Sequence, residues 1–70
     1  MTLAVTACLR EIRVQKGISQ NQLSQLSGIS RTGLGHIESG NVIPSFANVL
    51  RITRVLGMSI EEVMRLVEKG

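Results

Sequence analysis

Ser19 to Gly40 reads SQNQLSQLSGISRTGLGHIESG, and this stretch decides the fold. It holds two short apolar stripes, each opened by a serine and closed by a glycine. The first runs Ser19 to Gly28, with Leu23 and Leu26 three apart. The second runs Ser30 to Gly40, with Leu34 and Ile37 three apart. Spacing of this kind is helical rather than extended. Only Gly28-Ile29-Ser30 separates the two stripes. So tight a connection containing glycine cannot lay two helices side by side, so they must cross at a large angle.

The junction is one of three alike: Gly17-Ile18-Ser19, Gly28-Ile29-Ser30 and Gly57-Met58-Ser59. Glycine supplies the left-handed residue that ends a helix. Serine caps the next helix by accepting from its free backbone N–H groups. The apolar residue between them can staple to the fourth helical position: Ile18 to Leu23, Ile29 to Leu34, Met58 to Val63. Ser19 with Gln22 and Ser59 with Glu62 also carry the spacing of a capping box.

Working outward, Thr2 to Lys16 is expected as the first helix. Val5, Leu9, Ile12 and the stem of Lys16 fall on one face. Thr2 and Thr6 both qualify as its N-cap. The second helix is expected over Gln20 to Ser27 and the third over Arg31 to Ser39, closed by Gly40. Pro44 disfavours helix at Ile43, so Asn41 to Pro44 is a loop. Ser45 caps a fourth helix, Phe46 to Leu56, whose apolar set is Phe46, Val49, Leu50, Ile52, Val55 and Leu56. A fifth runs Ile60 to Lys69, with Ile60, Val63, Met64 and Val67 on one face. No stretch alternates as a strand would. The fold class is therefore all-α: five short helices around one core, in a single domain over residues 1–70.

Seventy residues support only a modest core. Apolar residues nevertheless make up 43% of the chain and mean hydropathy is positive. Some of that surface is expected to serve a partner subunit. Formal charge is +3 and the isoelectric point is near 10.0. A small basic excess is compatible with nucleic acid without demonstrating it. The cations are scattered, with no basic tail.

Cys8 is the only cysteine, which removes any internal disulfide or cysteine zinc site and suits a reducing cytosol. Val5-Thr6-Ala7-Cys8 has the look of a lipoprotein cleavage box. Only seven residues precede Cys8, none charged, too short for a signal peptide. No apolar run approaches the roughly 20 residues that span a bilayer, so no membrane association is expected. One histidine, one cysteine and no clustered acids leave neither a catalytic set nor a metal site. No cofactor is expected, and the expected location is cytoplasmic.

Two helices crossing at a tight turn are the layout of a helix-turn-helix, in which the second helix reads DNA and the rest of the chain holds it. The series of short motifs strengthens that reading: Leu9-Arg10-Glu11-Ile12-Arg13, Lys16 to Gln20, Leu23, Gly28 to Arg31, His36 to Gly40, Pro44-Ser45 and Leu56 to Ile60. In order and spacing they resemble the Cro and phage-repressor type helix-turn-helix family, over about Leu9 to Met64. The resemblance implies a five-helix, lambda-repressor-like domain. It also implies binding of double-stranded DNA as a two-fold homodimer, with the third helix in the major groove.

With Leu34 and Ile37 facing the core, Thr32, Gly35, His36 and Ser39 point away from it, and Arg31 flanks the N-terminus. Recognition helices present N-terminal residues to base edges. Arg31 can bond guanine O6 and N7 in bidentate fashion, His36 can donate to a purine, and Thr32 can meet a thymine methyl or a phosphate. The alternative for each is a solvated surface role. The resemblance places Gln20 at a DNA-touching position. It makes the helix starts at Ser19 and Ser45, with Ser39 and Asn41, phosphate-contact regions. It also pairs Arg13 with Glu38, tying the first helix to the third; the alternative is two unrelated surface charges.

Two departures stand out. The loop after Gly40 reads Asn41-Val42-Ile43, where relatives commonly carry basic residues. Phosphate affinity is then weaker, or Val42 and Ile43 serve a protein contact. Gly33 and Gly35 each cost a helix about 1 kcal/mol relative to alanine. Gly33 reads as tolerated by packing through Leu34 and Ile37. Gly35 is either tolerated too or admits close approach of the backbone to DNA. Met64 and Leu66 flank the core face of the fifth helix and are candidates for a dimer seam; the alternative for Met64 is a plain core role. The function expected is sequence-specific transcriptional regulation as a dimeric repressor or autoregulator on a palindromic operator. The rival is a protein-binding module, an antitoxin or adaptor with the same fold.

Overall fold

Each Gly-X-Ser junction ends one helix and starts the next in a computed structural model that describes residues 3–69. The elements are α1 (Leu3–Gln15), α2 (Gln20–Ser27), α3 (Arg31–Glu38), α4 (Phe46–Leu56) and α5 (Ile60–Lys69). Among the described residues there is no strand.

The caps are built as the spacing requires. Ser19 Oγ accepts from Gln22 N at 3.0 Å, and Gln22 Oε1 accepts from Ser19 N at 2.8 Å. Ser59 and Glu62 repeat the box at the head of α5, both bonds at 3.1 Å. Ser30 and Ser45 accept from Gly33 N and Asn48 N. Gly28, at φ 78°, turns the chain out of α2 while its N–H bonds Ser24 O at 3.0 Å. A side chain at that φ would be strained, so the tight turn requires glycine there.

Polar side chains that the periodicity overlooked fix the rest of this turn. Ser24 Oγ donates to Ile29 O, and Ser27 Oγ accepts from Ile29 N at 3.3 Å. With both its backbone groups bonded, Ile29 lies 8% exposed against the core.

Val5, Leu9 and Ile12 of α1 meet Leu23, Leu34, Ile37, Val49, Ile52, Leu56 and Val63 in one cluster. Leu34 is fully buried, which stabilises the fold by about 1.5–3 kcal/mol. Leu34→Ala would leave a cavity and cost about 2–5 kcal/mol. α1 packs on α3, α4 and α5, while α2 packs on α3 and α4. α3 is therefore gripped between α1 and α2, which holds its outer face in a fixed place.

Several expectations change. Leu26 is 69% exposed. The inward row of α2 runs through Leu23 and Ser27, four apart, so a leucine three beyond Leu23 falls on the far flank. Phe46 is 58% exposed. It shares the row of Val49, but sits at the first position of α4, where the stripe outruns its packing partners. Buried Thr53 joins that stripe and satisfies its hydroxyl on Leu50 O at 3.0 Å.

Thr6 does not cap α1: it lies 2% exposed inside the helix, beside the core residue Val5. The other candidate cap, Thr2, lies outside the described residues. Lys16 follows the last residue of α1 and is exposed. α3 ends at Glu38 rather than Ser39, which forms its C-cap. Met64 packs partly buried against the core, leaving Leu66, 44% exposed, as the outward apolar residue of α5.

Cys8 is half-buried, and burial, then the nearby Glu11 charge, push its thiol above the ordinary range. It packs partly buried against the core cluster.

Candidate nucleic-acid interface

α3 turns Leu34, Ile37 and Glu38 inward. Its outward residues are Arg31, Thr32 and His36, with exposed Ser39 just beyond. A cation, a hydroxyl, an imidazole and a second hydroxyl thus share one solvent-facing side of a short, capped helix. Each can donate to a base edge or a phosphate.

The two glycines in this helix do different things. A methyl on Gly33 would lie 2.9 Å from Ser30 Oγ, the cap of α3. Glycine at that site is part of a tight cap, not merely a tolerated weakness. A methyl on Gly35 would lie 3.3 Å from Nη1 of Arg31. The Arg31 side chain therefore runs forward along the helix and rests over the bare backbone at Gly35.

Behind this face lies the ion pair. Arg13 Nε donates to Glu38 Oε2 at 2.8 Å, and Nη2 donates to Oε1 at 3.0 Å. The same guanidinium donates through Nη1 to Ile18 O at 2.7 Å. Glu38 is 8% exposed, so the pair is largely withdrawn from water. A third donor, Gln20 Nε2, reaches Glu38 Oε1 at 3.0 Å. One carboxylate thus ties the end of α1 and the start of α2 to the end of α3. The Gln20 link had no signal in apolar periodicity, because it depends on how α2 and α3 cross.

The other expected contact residues border the same region. Ser19 and Ser45 hold the starts of α2 and α4 and are exposed. Helix starts present free N–H groups to anions. Ser39 Oγ donates to His36 O at 3.2 Å, and Asn41 N donates to the same carbonyl at 3.0 Å. Gly40, at φ 80°, lets the chain leave α3 in this way. A groove of about 460 Å³ then joins Ser30, Gly33 and His36 of α3 to Ser45, Asn48 and Arg51 of α4. Asn48 and Arg51 were not singled out from sequence; their spacing from Ser45, three and six, was the available sign. Among the described residues, no three metal-ligating side chains gather.

The helix-turn-helix family profile matches residues 9–63. The chain belongs to the helix-turn-helix family of DNA-binding transcriptional regulators, in its Cro and phage-repressor branch. This is a family of regulators, not enzymes. The chain is 34% identical over 61 residues to the HTH-type transcriptional regulator PuuR of Escherichia coli (strain K12), a match covering 87% of this chain and 33% of that one. The chain thus spans about one third of the length of that relative. It is 33% identical over 62 residues to the HTH-type transcriptional regulator YgzD of Bacillus subtilis (strain 168), covering 89% of this chain and 94% of that one. The fold matches the crystal structure of a variant of the restriction-modification controller protein C.Esp1396I. That match has a TM-score of 0.89 at 24% identity, covering 94% of this chain and 86% of that one. It bears on the five-helix fold alone. No helix among the described residues is long and apolar enough to cross a membrane.

Proposed function

We propose that this helix-turn-helix regulator binds operator DNA as a two-fold homodimer and represses or autoregulates transcription in the cytoplasm. The observation that carries the reading is the outward face of α3, with Arg31, Thr32 and His36 exposed on a helix clamped from behind by the Arg13–Glu38 pair. Arg31 reads guanine, Thr32 meets a thymine methyl or a phosphate, and His36 donates to a purine. Ser19, Ser39, Asn41 and Ser45 position the backbone of the duplex. Gln20 orients Glu38 from behind while its main chain faces the phosphate. Two copies set their α3 helices one turn of DNA apart, about 34 Å, and so select a palindromic site.

The test is titration of the protein with a duplex from upstream of its own gene, against a random duplex, at several salt concentrations. Binding to the upstream fragment on the order of 10³-fold tighter is expected, with a steep salt slope. Equal, weak binding to both duplexes would overturn the autoregulatory reading.

A second reading, a protein-binding module, draws on Phe46 and Leu66, exposed at 58% and 44% on separate helices. Sedimentation would separate the two: a monomer that pulls down a protein and ignores DNA belongs to the second.

A further inference from the structure

We propose that Arg51 is a phosphate-binding residue of the DNA interface, supplying from α4 the positive charge that the loop after α3 lacks. The inference rests on the DNA-binding reading and extends its footprint beyond the recognition helix.

The loop Asn41-Val42-Ile43-Pro44 carries no cation. It nevertheless forms one wall of the groove that runs from α3 to α4. Val42 and Ile43 are exposed at 45% and 60% beside that groove. No acidic residue lines it. Ser45, Asn48 and Arg51 descend its α4 wall at successive steps of three, a helical row. His36, one of the outward residues of α3, lines the same groove.

Arg51 is exposed and takes no part in any hydrogen bond or ion pair among the described residues. Arg13, by contrast, is spent on Glu38 and Ile18. A guanidinium held free at the end of a polar row, in a groove without acids, is matched to a phosphate. Asn48 and the Ser45 hydroxyl complete the donor set for the same group. The methyls of Val42 and Ile43 then meet the adjoining deoxyribose, whose carbon face is apolar. The apolar loop is thereby read as part of the DNA surface.

The experiment uses the full chain with Arg51→Gln, and with Arg54→Gln as the control. Arg54 is exposed on the same helix but does not line the groove. Binding to the upstream and random duplexes is measured across salt. Arg51→Gln removes one contact per protomer, two per homodimer, and is expected to lower the log–log salt slope by about 1.8 and to weaken both duplexes about thirtyfold near 0.15 M salt. Arg54→Gln should leave the slope unchanged, and both variants should melt with the parent.

A parental slope in Arg51→Gln overturns the proposal. So does an equal fall in both variants, which would mean diffuse charge, or a loss confined to the upstream duplex, which would mean base reading. The parent protein reports separately on the underlying reading. If it binds neither duplex in a salt-dependent way, DNA binding itself fails. If it binds and Arg51→Gln matches it, only the Arg51 assignment fails.

Discussion

Removing the Glu38 carboxylate should unfasten the recognition helix from the rest of the domain. In Glu38→Ala, three bonds disappear at once: two from Arg13, at 2.8 and 3.0 Å, and one from Gln20 at 3.0 Å. The Arg13 side chain, 12% exposed, then keeps only its bond to Ile18 O. An unpaired, largely buried charge costs about 3–5 kcal/mol. Because Arg13 retains one bond and some water, the lower end applies, about 3 kcal/mol.

A chain of this length is stable by about 4–10 kcal/mol in all. The loss is therefore about 30–75% of the total. For a domain this small it corresponds to a fall in Tm of about 12–24 °C. Thermal and urea unfolding followed by circular dichroism measure it directly. Operator affinity should fall as well, because the outer face of α3 is no longer held.

The companion variant is Arg13→Met with Glu38→Leu, which removes both charges and fills the space. Replacing a buried pair with apolar groups is close to neutral in other folds. The double variant should recover most of the stability, giving a coupling energy in the cycle. A Glu38→Ala protein melting within about 3 °C of the parent would refute the reasoning.

Four further outcomes follow from particular contacts. Gly35→Ala should raise stability by about 1 kcal/mol, since only the flexible end of Arg31 must move aside; unchanged operator affinity would also remove close backbone approach at that site. Gly33→Ala should give no such gain in the same melting assay, because its methyl would press on Ser30 Oγ and cost about 1 kcal/mol of capping. Leu26→Gln and Phe46→Ser, both at exposed positions, should each change unfolding free energy by less than about 0.5 kcal/mol. The Glu62 carboxyl is held below its ordinary range, first by the Ser59 N–H and then by the Ser59 hydroxyl. Its contribution is then present above its unfolded pKa and fades as pH falls through the lower, folded one. Glu62→Gln should accordingly flatten the decline of Tm between about pH 5 and 3; an unaltered decline would assign it to other carboxylates.

Local chemistry is what the amino-acid sequence determined. The Gly-X-Ser junctions specify backbone conformation and capping within a few residues, so the starts of α2, α3 and α5 were legible from the chain alone, as was that of α4 from Pro44-Ser45. The pairing of Arg13 with Glu38 was legible only through resemblance, since 25 residues separate them. Where helices meet was not legible. Leu26 and Phe46 obey helical spacing, yet face solvent, because a short helix has several nearly equivalent stripes and only its neighbours select one.

The same holds for the candidate interface. Arg31, Thr32 and His36 followed from the wheel of one helix. Gln20 as a partner of Glu38, and Arg51 in one groove with His36, depend on the crossing of separate helices. Burial and the closing of a groove are properties of two surfaces at once, and those were decided only in the tertiary structure.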